Sequence, residues 1–218
     1  MTRIILISTL VGLTAAAHAQ LSLDTFVFDN SQFGNTLQES DGGTFSFSNW
    51  LNVINVNPGN PALLTGANFE TGLANIGLGS SPTYTIGYDT PIMNRPGDDL
   101  GIVVARYSED EAILSVSTDG ATFTSSHSFG FETAVDTGVH KQYFYGGGGP
   151  FDAELFVHPV DLSTFGVAEG TSIQAVMVTG TPQLDLIRVA GFAVPEPSTV
   201  VAFLGLAAIV GLRRQKRT

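Results

Sequence analysis

The chain has 218 residues and no cysteine, and its 9 Lys and Arg residues against 20 Asp and Glu residues give a formal net charge of −11. This length suits a single globular domain of ordinary size, and a scaffold stapled by disulfides is excluded. Residues 20–194 hold 19 acidic and 4 basic residues, a charge of −15 for the body of the chain. A nucleic-acid binder is not expected, because the body has no basic surface to neutralise phosphates.

Residues 1–19 have the pattern of a secretory signal peptide. Arg3 supplies a short positive region, an almost unbroken apolar stretch follows, and Ala17-His18-Ala19 offers the small residues Ala17 and Ala19 that signal peptidase accepts. We expect a signal helix that signal peptidase cleaves after Ala19, so that the mature body begins at Gln20. A retained membrane anchor is the alternative, although the apolar stretch is shorter than the ~20 residues of a membrane span.

The C-terminal segment, residues 194–218, combines three features. A Pro195-Glu196-Pro197 motif precedes an apolar run over residues 199–212, and a basic cluster follows, formed by Arg213, Arg214, Lys216 and Arg217. Proline is favoured at a helix start, so this order predicts a short C-terminal transmembrane helix over 199–212. The run is short for a ~30 Å hydrocarbon core, and snorkelling of the basic side chains narrows the gap. The positive-inside rule leaves the basic cluster in the cytoplasm and residues 20–193 outside.

These C-terminal features resemble the PEP-CTERM sorting signal of exported proteins in Gram-negative-type bacteria. The resemblance implies recognition by an exosortase, a membrane enzyme similar to cysteine transpeptidases, which cuts at the motif and releases or transfers the body. It also implies a protein at the cell surface, in the outer envelope or outside the cell, anchored at first in the inner membrane by its C-terminal helix. A plain single-pass anchor is the alternative, and it places the body on the same side of the membrane.

The body, residues 20–193, has the pattern of one all-β domain. No window of helical length keeps an apolar stripe free of Gly or Pro, and short apolar or alternating runs recur between turn-forming residues. About ten such runs predict a β-sandwich or barrel. The predicted strands are Thr25–Phe28, Thr44–Phe47, Leu51–Val56, Thr83–Tyr88, Leu100–Tyr107, Ala112–Thr118, Thr122–Phe129, Gln142–Tyr145, Ala153–His158, Ser172–Thr179 and Leu184–Phe192.

Two local turns are predicted within this domain. Asp119-Gly120 between two β-rich runs favours a type I′ hairpin that pairs Ala112–Thr118 with Ala121–Phe129, because both central positions of that turn need a positive φ. Asp161 is placed to cap one helical turn, and Gly166 is placed to close it.

Two stretches of the body are similar to a pattern that recurs in PEP-CTERM cell-surface proteins. One runs from Ile86 through Pro96-Gly97-Asp98-Asp99 to Phe123, and the other is Val160–Gly166 with the strands that follow. In those proteins an acidic Gly-Asp stretch leads into a strand, and a Val-x-Val-Ser-x-Asp-Gly hairpin comes next. The resemblance implies a jelly-roll-like sandwich related to galactose-binding domains. The Asn-rich opening of the body and its Gly146–Gly149 loop depart from the pattern.

The sequence of the body gives little support for nucleophilic catalysis or for catalysis by zinc. It has no cysteine and no Gly-x-Ser-x-Gly elbow, and its three histidines, His127, His140 and His158, lack metal-binding spacing. We expect these histidines on the surface or on edge strands. The Gly146–Gly149 loop lacks the Lys-Ser/Thr of a phosphate-binding loop and is expected to be flexible. Its flanking aromatic residues fit the core, or alternatively stacking on sugar rings; they are Tyr143, Phe144, Tyr145 and Phe151.

Carboxylates cluster at three places, Asp98-Asp99, Glu109-Asp110-Glu111 and Asp152 with Glu154. Ca²⁺ takes six to eight oxygen ligands, and the loop at Asp98 and Asp99 offers carboxylates together with backbone carbonyls. A calcium ion at Asp98 and Asp99 is therefore one expectation, and solvated acidic turns are the other. No other cofactor is expected.

Two functions from different classes fit this sequence. The first is a non-enzymatic exported protein of the cell surface or extracellular matrix, acting in adhesion, surface architecture or association with polysaccharide. The alternative is an exported carbohydrate-active enzyme, a glycoside hydrolase or lyase that pairs Asp98 or Asp99 with Glu109 or Glu111, or a carbohydrate-binding module on the same scaffold. The first is favoured because the chain carries both sorting signals at its ends, while its body is rich in predicted strands and lacks catalytic spacing.

Overall fold

A computed structural model of the chain describes residues 19–40, 46–48, 65–69, 73–75, 83–106, 111–144, 150–180 and 184–194. Regular structure in these ranges is almost entirely β-strand, which confirms the predicted all-β body. Short 3₁₀ turns occur at Phe131–Thr133 and Leu162–Phe165. The strands are β1 (Gln20–Leu23), β2 (Phe26–Phe33), β3 (Thr36–Ser40), β4 (Ser46–Ser48), β5 (Leu73–Asn75), β6 (Thr83–Met93), β7 (Leu100–Arg106), β8 (Ala112–Ser117), β9 (His127–Phe129), β10 (Val135–Phe144), β11 (Pro150–Val160), β12 (Ser172–Gly180) and β13 (Asp185–Phe192).

These strands form two antiparallel sheets. Sheet A has eight strands in the order β1-β2-β13-β7-β11-β10, with β5 beside β13 and β4 beside β5. Sheet B has five strands in the order β3-β6-β12-β8-β9. Strands that are neighbours along the chain therefore often lie in different sheets, as β6, β7 and β8 do. The chain crosses repeatedly from one sheet to the other.

The space between the two sheets holds the main hydrophobic core. Period-2 alternation directs Ile102 and Val104 of β7 and Ile86 of β6 into it, and each of these side chains is buried. Val176 of β12 and Phe156 of β11 fill the same layer from the two sheets. The sheets thus pack face to face in a β-sandwich-like arrangement.

A second apolar cluster covers the other face of sheet A. Val103, Leu155 and Ile187 alternate with the core residues of their strands and are 0% exposed. Phe28 and Phe69 meet there edge to face, with ring centroids 5.4 Å apart. The central strands of sheet A, β13, β7 and β11, are therefore buried on both faces, and they are more continuously apolar than alternation alone would require.

Most predicted strands are present with adjusted ends. The predicted strand at Gln142 begins earlier, at Val135, and the one predicted over Thr122–Phe129 keeps only its last residues as β9. Strands β1, β3 and β5 were not predicted from the sequence. The predicted strand Leu51–Val56 lies outside the described residues.

The Asp119-Gly120 turn differs from the prediction. β8 and β9 do pair antiparallel, with Ala112 opposite Phe129 and Leu114 opposite His127, so the connection between them is long. Gly120 has a φ of 77°, but Asp119 does not have a positive φ, which rules out type I′. The Asp119 carboxylate instead accepts hydrogen bonds from the backbone N–H groups of Ala121 and Thr122, at 2.9 and 2.7 Å. This side-chain turn replaces the tight hairpin.

The two terminal segments lie largely outside the described residues. The predicted signal helix ends at Ala19, which is described, and the predicted C-terminal helix at 199–212 is not. Among the residues that the structure does describe, no helix is long and apolar enough to cross a membrane. Both helices stay predictions.

Candidate functional site

The outward face of sheet B carries a shallow polar groove of about 220 Å³. It lies at the β3 edge of the sheet, over β3, β6 and β12, and one side is bounded by the turn that follows β8. Its lining residues are Asn35, Thr36, Gln38, Thr85, Gly87, Tyr88, Asp89, Gly120, Gln174 and Ala175.

Small residues in register form the floor of this groove. Thr36 of β3 is opposite Gly87 of β6, and Gly87 is opposite Ala175 of β12. A Cβ atom at Gly87 would collide with the Thr36 hydroxyl, so a side chain at this position would require the Thr36 side chain to turn aside. This floor leaves a shallow depression, because Gly87 and Ala175 on two adjacent strands carry little or no side chain.

Amide side chains form its rim. β12 has an irregularity between Ile173 and Ala175, and Gln174, which lies between them, is exposed. Asn35 and Gln38 are exposed on the β3 side of the groove. Within the described part of the chain these three amides make no side-chain hydrogen bond, and neither does Asp89. The rim therefore offers both hydrogen-bond donors and acceptors to solvent.

Asp99, a candidate from the sequence, is a buried structural carboxylate. Its Oδ1 accepts a hydrogen bond from the backbone N–H of Arg95 at 2.8 Å, and its Oδ2 accepts one from that of Leu162 at 3.1 Å. Burial and the negative charge of Asp161 raise the pKa of Asp99, while the two N–H groups and Arg95 oppose that rise. Asp99 thereby ties the loop after β6 to the turn after β11.

The neighbouring Asp98 is exposed on the same loop. Partial desolvation raises its pKa, and the nearby charge of Asp161 raises it further. Asp161 itself caps the 3₁₀ turn by accepting from the N–H of Ser163, and Gly166 closes the turn with a φ of 75°, both as predicted. No cluster of three His, Asp or Glu side chains suited to a metal occurs in the described residues. Calcium at Asp98 and Asp99 stays a prediction, and both Asp99 oxygens already accept N–H donors.

Two of the three histidines lie where the sequence predicted. His127 is on the edge strand β9 and packs edge to face against Phe165 at 4.8 Å between ring centres. His140 is exposed on the edge strand β10, with its Nδ1 atom 3.1 Å from Asp152 and its Nε2 atom 3.8 Å from Glu154. This cluster is a solvated surface network.

The prediction for His158 is wrong, because it is 1% exposed on β11, an interior strand of sheet A. Its Nδ1 atom lies 3.1 Å from the hydroxyl of Thr133, which comes from the 3₁₀ turn at Phe131–Thr133. Burial lowers the pKa of His158 to about 4, and the carboxylate of Glu132 opposes that shift. His158 is a neutral core residue at pH 7.

Several sequence candidates lie outside the described residues. These include Glu109 and Asp110, the Gly146–Gly149 loop and Tyr145, whereas Glu111 is half-buried just before β8. The groove residues were not candidates from the sequence. Their only local signal is the alternation of Thr83, Thr85, Gly87 and Asp89 along β6, which placed small and polar residues on one face.

Comparison with known proteins identifies one segment. Residues 193–217 match the PEP-CTERM protein-sorting motif. This confirms the predicted resemblance and indicates an exported, envelope-associated target of an exosortase. Neither a curated protein nor a solved structure matches the chain. The PEP-CTERM motif covers only residues 193–217, so it indicates how the chain is sorted. The role of the body must be inferred from the structure of the body.

Proposed function

We propose that this chain is a non-enzymatic protein of the cell surface or extracellular matrix, delivered there by exosortase sorting. The observation that carries the proposal is the PEP-CTERM motif at residues 193–217. The body, with its charge of −15 over residues 20–194, suits a solvated extracellular location.

Removal of both terminal segments is compatible with the fold. β1 begins at Gln20, and among the described contacts cleavage after Ala19 would cost one hydrogen bond, from the Asn30 N–H to the Ala19 carbonyl. At the other end β13 ends at Phe192, and Ala193 still bonds to the Val27 carbonyl. Exosortase cleavage near Pro195 would leave that bond in place. We propose that the helix over 199–212 holds the chain in the inner membrane until this cut.

The strand order supports a jelly-roll interpretation of the body. Strands β2, β13, β7 and β11 lie side by side in sheet A, and β6, β12, β8 and β9 lie side by side in sheet B. This is the arrangement of an eight-stranded jelly roll in which two Greek keys fold over each other. β1, β3 and β10 extend the sheets at their edges.

Four of the described groups with shifted pKa values lie in the core or in turns; they are Tyr88, Asp99, Asp119 and His158. Tyr88 has a raised pKa because it is buried, and its hydroxyl donates to the Val189 carbonyl at 3.1 Å. Hydrogen bonds from backbone N–H groups at Thr122 and Ala121, and from the Ser117 hydroxyl, lower the pKa of Asp119. These groups stabilise turns and the core, which favours a binding or scaffolding role over catalysis.

The raised pKa of Asp98 favours the alternative function, an exported glycoside hydrolase or lyase. A raised pKa is what a general acid of a glycosidase requires. Its partner would be Glu109 or Glu111, of which Glu111 is described.

Mass spectrometry of the cell-surface and released fractions tests the proposed function. We expect peptides from residues 20–194 and none that cover 200–212. Recovery of the chain only from the cytosol, with residues 1–19 intact, would reject export. A polysaccharide panel tests the alternative, since turnover by the wild type that an Asp98→Ala/Glu111→Ala variant loses would show an enzyme.

A further inference from the structure

We propose that the groove on sheet B binds an uncharged polysaccharide and holds one sugar unit of that polymer. The proposal deepens the proposed function and rests on its extracellular, non-catalytic role. It names the site and the ligand class through which the body would associate with a matrix.

The lining of the groove has the hydrogen-bonding chemistry of sugar recognition. The amides of Asn35, Gln38 and Gln174 each carry a carbonyl and an NH₂ group, and Asp89 adds acceptor oxygens. Sugar hydroxyls both donate and accept, so they match a rim of this mixed kind. None of these four side chains makes a hydrogen bond within the described part of the chain, so a ligand would not have to displace an internal partner.

The size of the groove fits a small unit of a longer chain. Its volume of about 220 Å³ is below the ~300 Å³ at which pockets for drug-sized ligands begin. On the floor Gly87 is half-exposed and Ala175 is buried, while Gln38 and Gln174 of the rim are exposed, so a polymer could continue over the rim on either side. Gly120 bounds the groove without a side chain, and its φ of 77° favours glycine there.

Charge selects the class of polysaccharide. Residues 20–194 carry a charge of −15, and the described lining of the groove adds one acidic side chain, Asp89. An anionic polymer would be repelled, and no lining residue that the structure describes supplies a cation to hold it. An uncharged chain avoids this cost, so its binding should depend little on salt.

Among the described residues, the groove offers no aromatic platform. Tyr88 lines it, but its side chain is buried and its hydroxyl bonds to Val189. Binding would rest on hydrogen bonds to neutral groups, each of which contributes modestly to affinity. A single site is therefore expected to be weak, and retention should be clearest when many copies meet one polymer.

Affinity electrophoresis of the full chain in mild detergent tests this proposal. Gels would contain dextran, laminarin, mannan or xylan as uncharged polymers and alginate or hyaluronan as anionic ones. We expect at least one uncharged polymer to retard the wild type. The retardation should be equal at about 0.05 M and about 0.5 M NaCl, at which charges are weakly and strongly screened. Neither anionic polymer should retard it.

Matched variants place the binding in the groove. Gln38→Ala/Gln174→Ala should weaken retention about tenfold, because two hydrogen bonds to neutral groups are lost. Ser126→Ala/Ser128→Ala removes exposed polar groups outside the groove and should behave as the wild type. Thermal melting checks that each variant is folded, and Asn35→Ala provides a second groove variant.

Each other outcome overturns the proposal. Retention that the groove variants leave unchanged would put the glycan site elsewhere, and retention only by an anionic polymer would refute the ligand class. No retention by any uncharged polymer would reject the site. If mass spectrometry still finds the processed chain at the surface in that case, the proposed function stands without this site.

Discussion

Sheets A and B differ in what lies on their outward faces. On sheet A the residues that point away from the sandwich are apolar and buried, among them Val103, Leu155 and Ile187. On sheet B the corresponding positions on β6 and β12 carry Thr85 and Met177, which are half-buried, and Thr83, which pairs with Thr179 through their hydroxyls at 2.9 Å. One sheet is an interior layer, and the other presents a polar surface to solvent.

A buried arginine secures part of the cover over sheet A. Arg188 of β13 is 0% exposed, and its Nε and Nη2 atoms donate to the Gly66 carbonyl and to the Asn68 side chain, at 3.2 and 3.0 Å. The segment 65–69 is thereby tied to the sheet, with Phe69 in the apolar cluster. The comparison indicates that stability depends on the outward face of sheet A, whereas the outward face of sheet B is free to serve recognition.

The largest effect is expected from Arg188→Ala. The substitution removes a buried side chain and leaves the Gly66 carbonyl and the Asn68 amide without their donor, so the free energy of unfolding should fall by about 3–5 kcal/mol. Urea unfolding followed by circular dichroism measures it. Arg95→Ala, at a half-exposed position, is the comparison; it removes only the charge that favours ionised Asp99, so stability should fall by no more than about 1 kcal/mol. Equal effects of the two substitutions would contradict a covering role for segment 65–69.

The two outward faces can be compared directly by truncating one side chain on each. Leu155→Ala on sheet A should lower the free energy of unfolding by about 3 kcal/mol, because it removes buried methyl groups and leaves a cavity. Thr85→Ala on sheet B should stay within about 0.5 kcal/mol. Both values come from the same urea titrations. A loss of similar size on sheet B would mean that its outward face is also covered.

Acid should lower the free energy of unfolding through His158, which is buried in the fold. The pKa of His158 is lowered by burial to about 4 in the fold, against 6.5 in the unfolded chain. Between these values the unfolded chain binds the proton and the folded one does not, so stability is complete above pH 6.5 and falls as the pH drops towards 4. The loss attributable to this residue reaches at most roughly 3 kcal/mol.

His158→Leu isolates this contribution from the carboxylates that titrate in the same range. The variant should lose less stability between pH 7 and pH 4 than the wild type, measured by urea unfolding at each pH. Parallel pH profiles for the two proteins would show that His158 is not the buried neutral group that the structure indicates.

The all-β class and most strands could be predicted because their information is local. β8 alternates clearly, with Leu114 and Val116 inward, and Asp161 and Gly166 mark a turn by residue type alone. β3 escaped prediction because it is an edge strand whose sequence, Thr-Leu-Gln-Glu-Ser, has a single apolar residue. The start of β10 was missed because Gly138, with a φ of 62°, falls where its register shifts.

The site was harder to predict because its residues come together only in the fold. Gln38, Asp89 and Gln174 are far apart in the sequence and form no motif. The burial of His158 could not be predicted for the same reason. Its neighbour Thr133 lies 25 positions away in the sequence and reaches it through a 3₁₀ turn. Asp99 can be picked out in the sequence because it adjoins Asp98. Its structural role, however, depends on a hydrogen bond from the N–H of Leu162, which belongs to another loop. Residue types predicted the turn from Asp161 to Gly166, whereas contacts between distant strands form the groove.

The smallest effect is expected at the hydroxyl pair on sheet B. Thr83→Val removes one partner of the cross-strand bond to Thr179 and keeps the β-branched shape, so the cost should be about 0.5 kcal/mol, within the 0.2–1 kcal/mol of such pairs. Thermal unfolding measures it, and Thr179→Val should give the same value because both remove one bond. Neither residue lines the groove, so both variants should also keep wild-type retention by an uncharged polymer. A large loss of stability here would place this face among the structural elements of the fold, and the distinction between a structural sheet A and a recognising sheet B would then no longer hold.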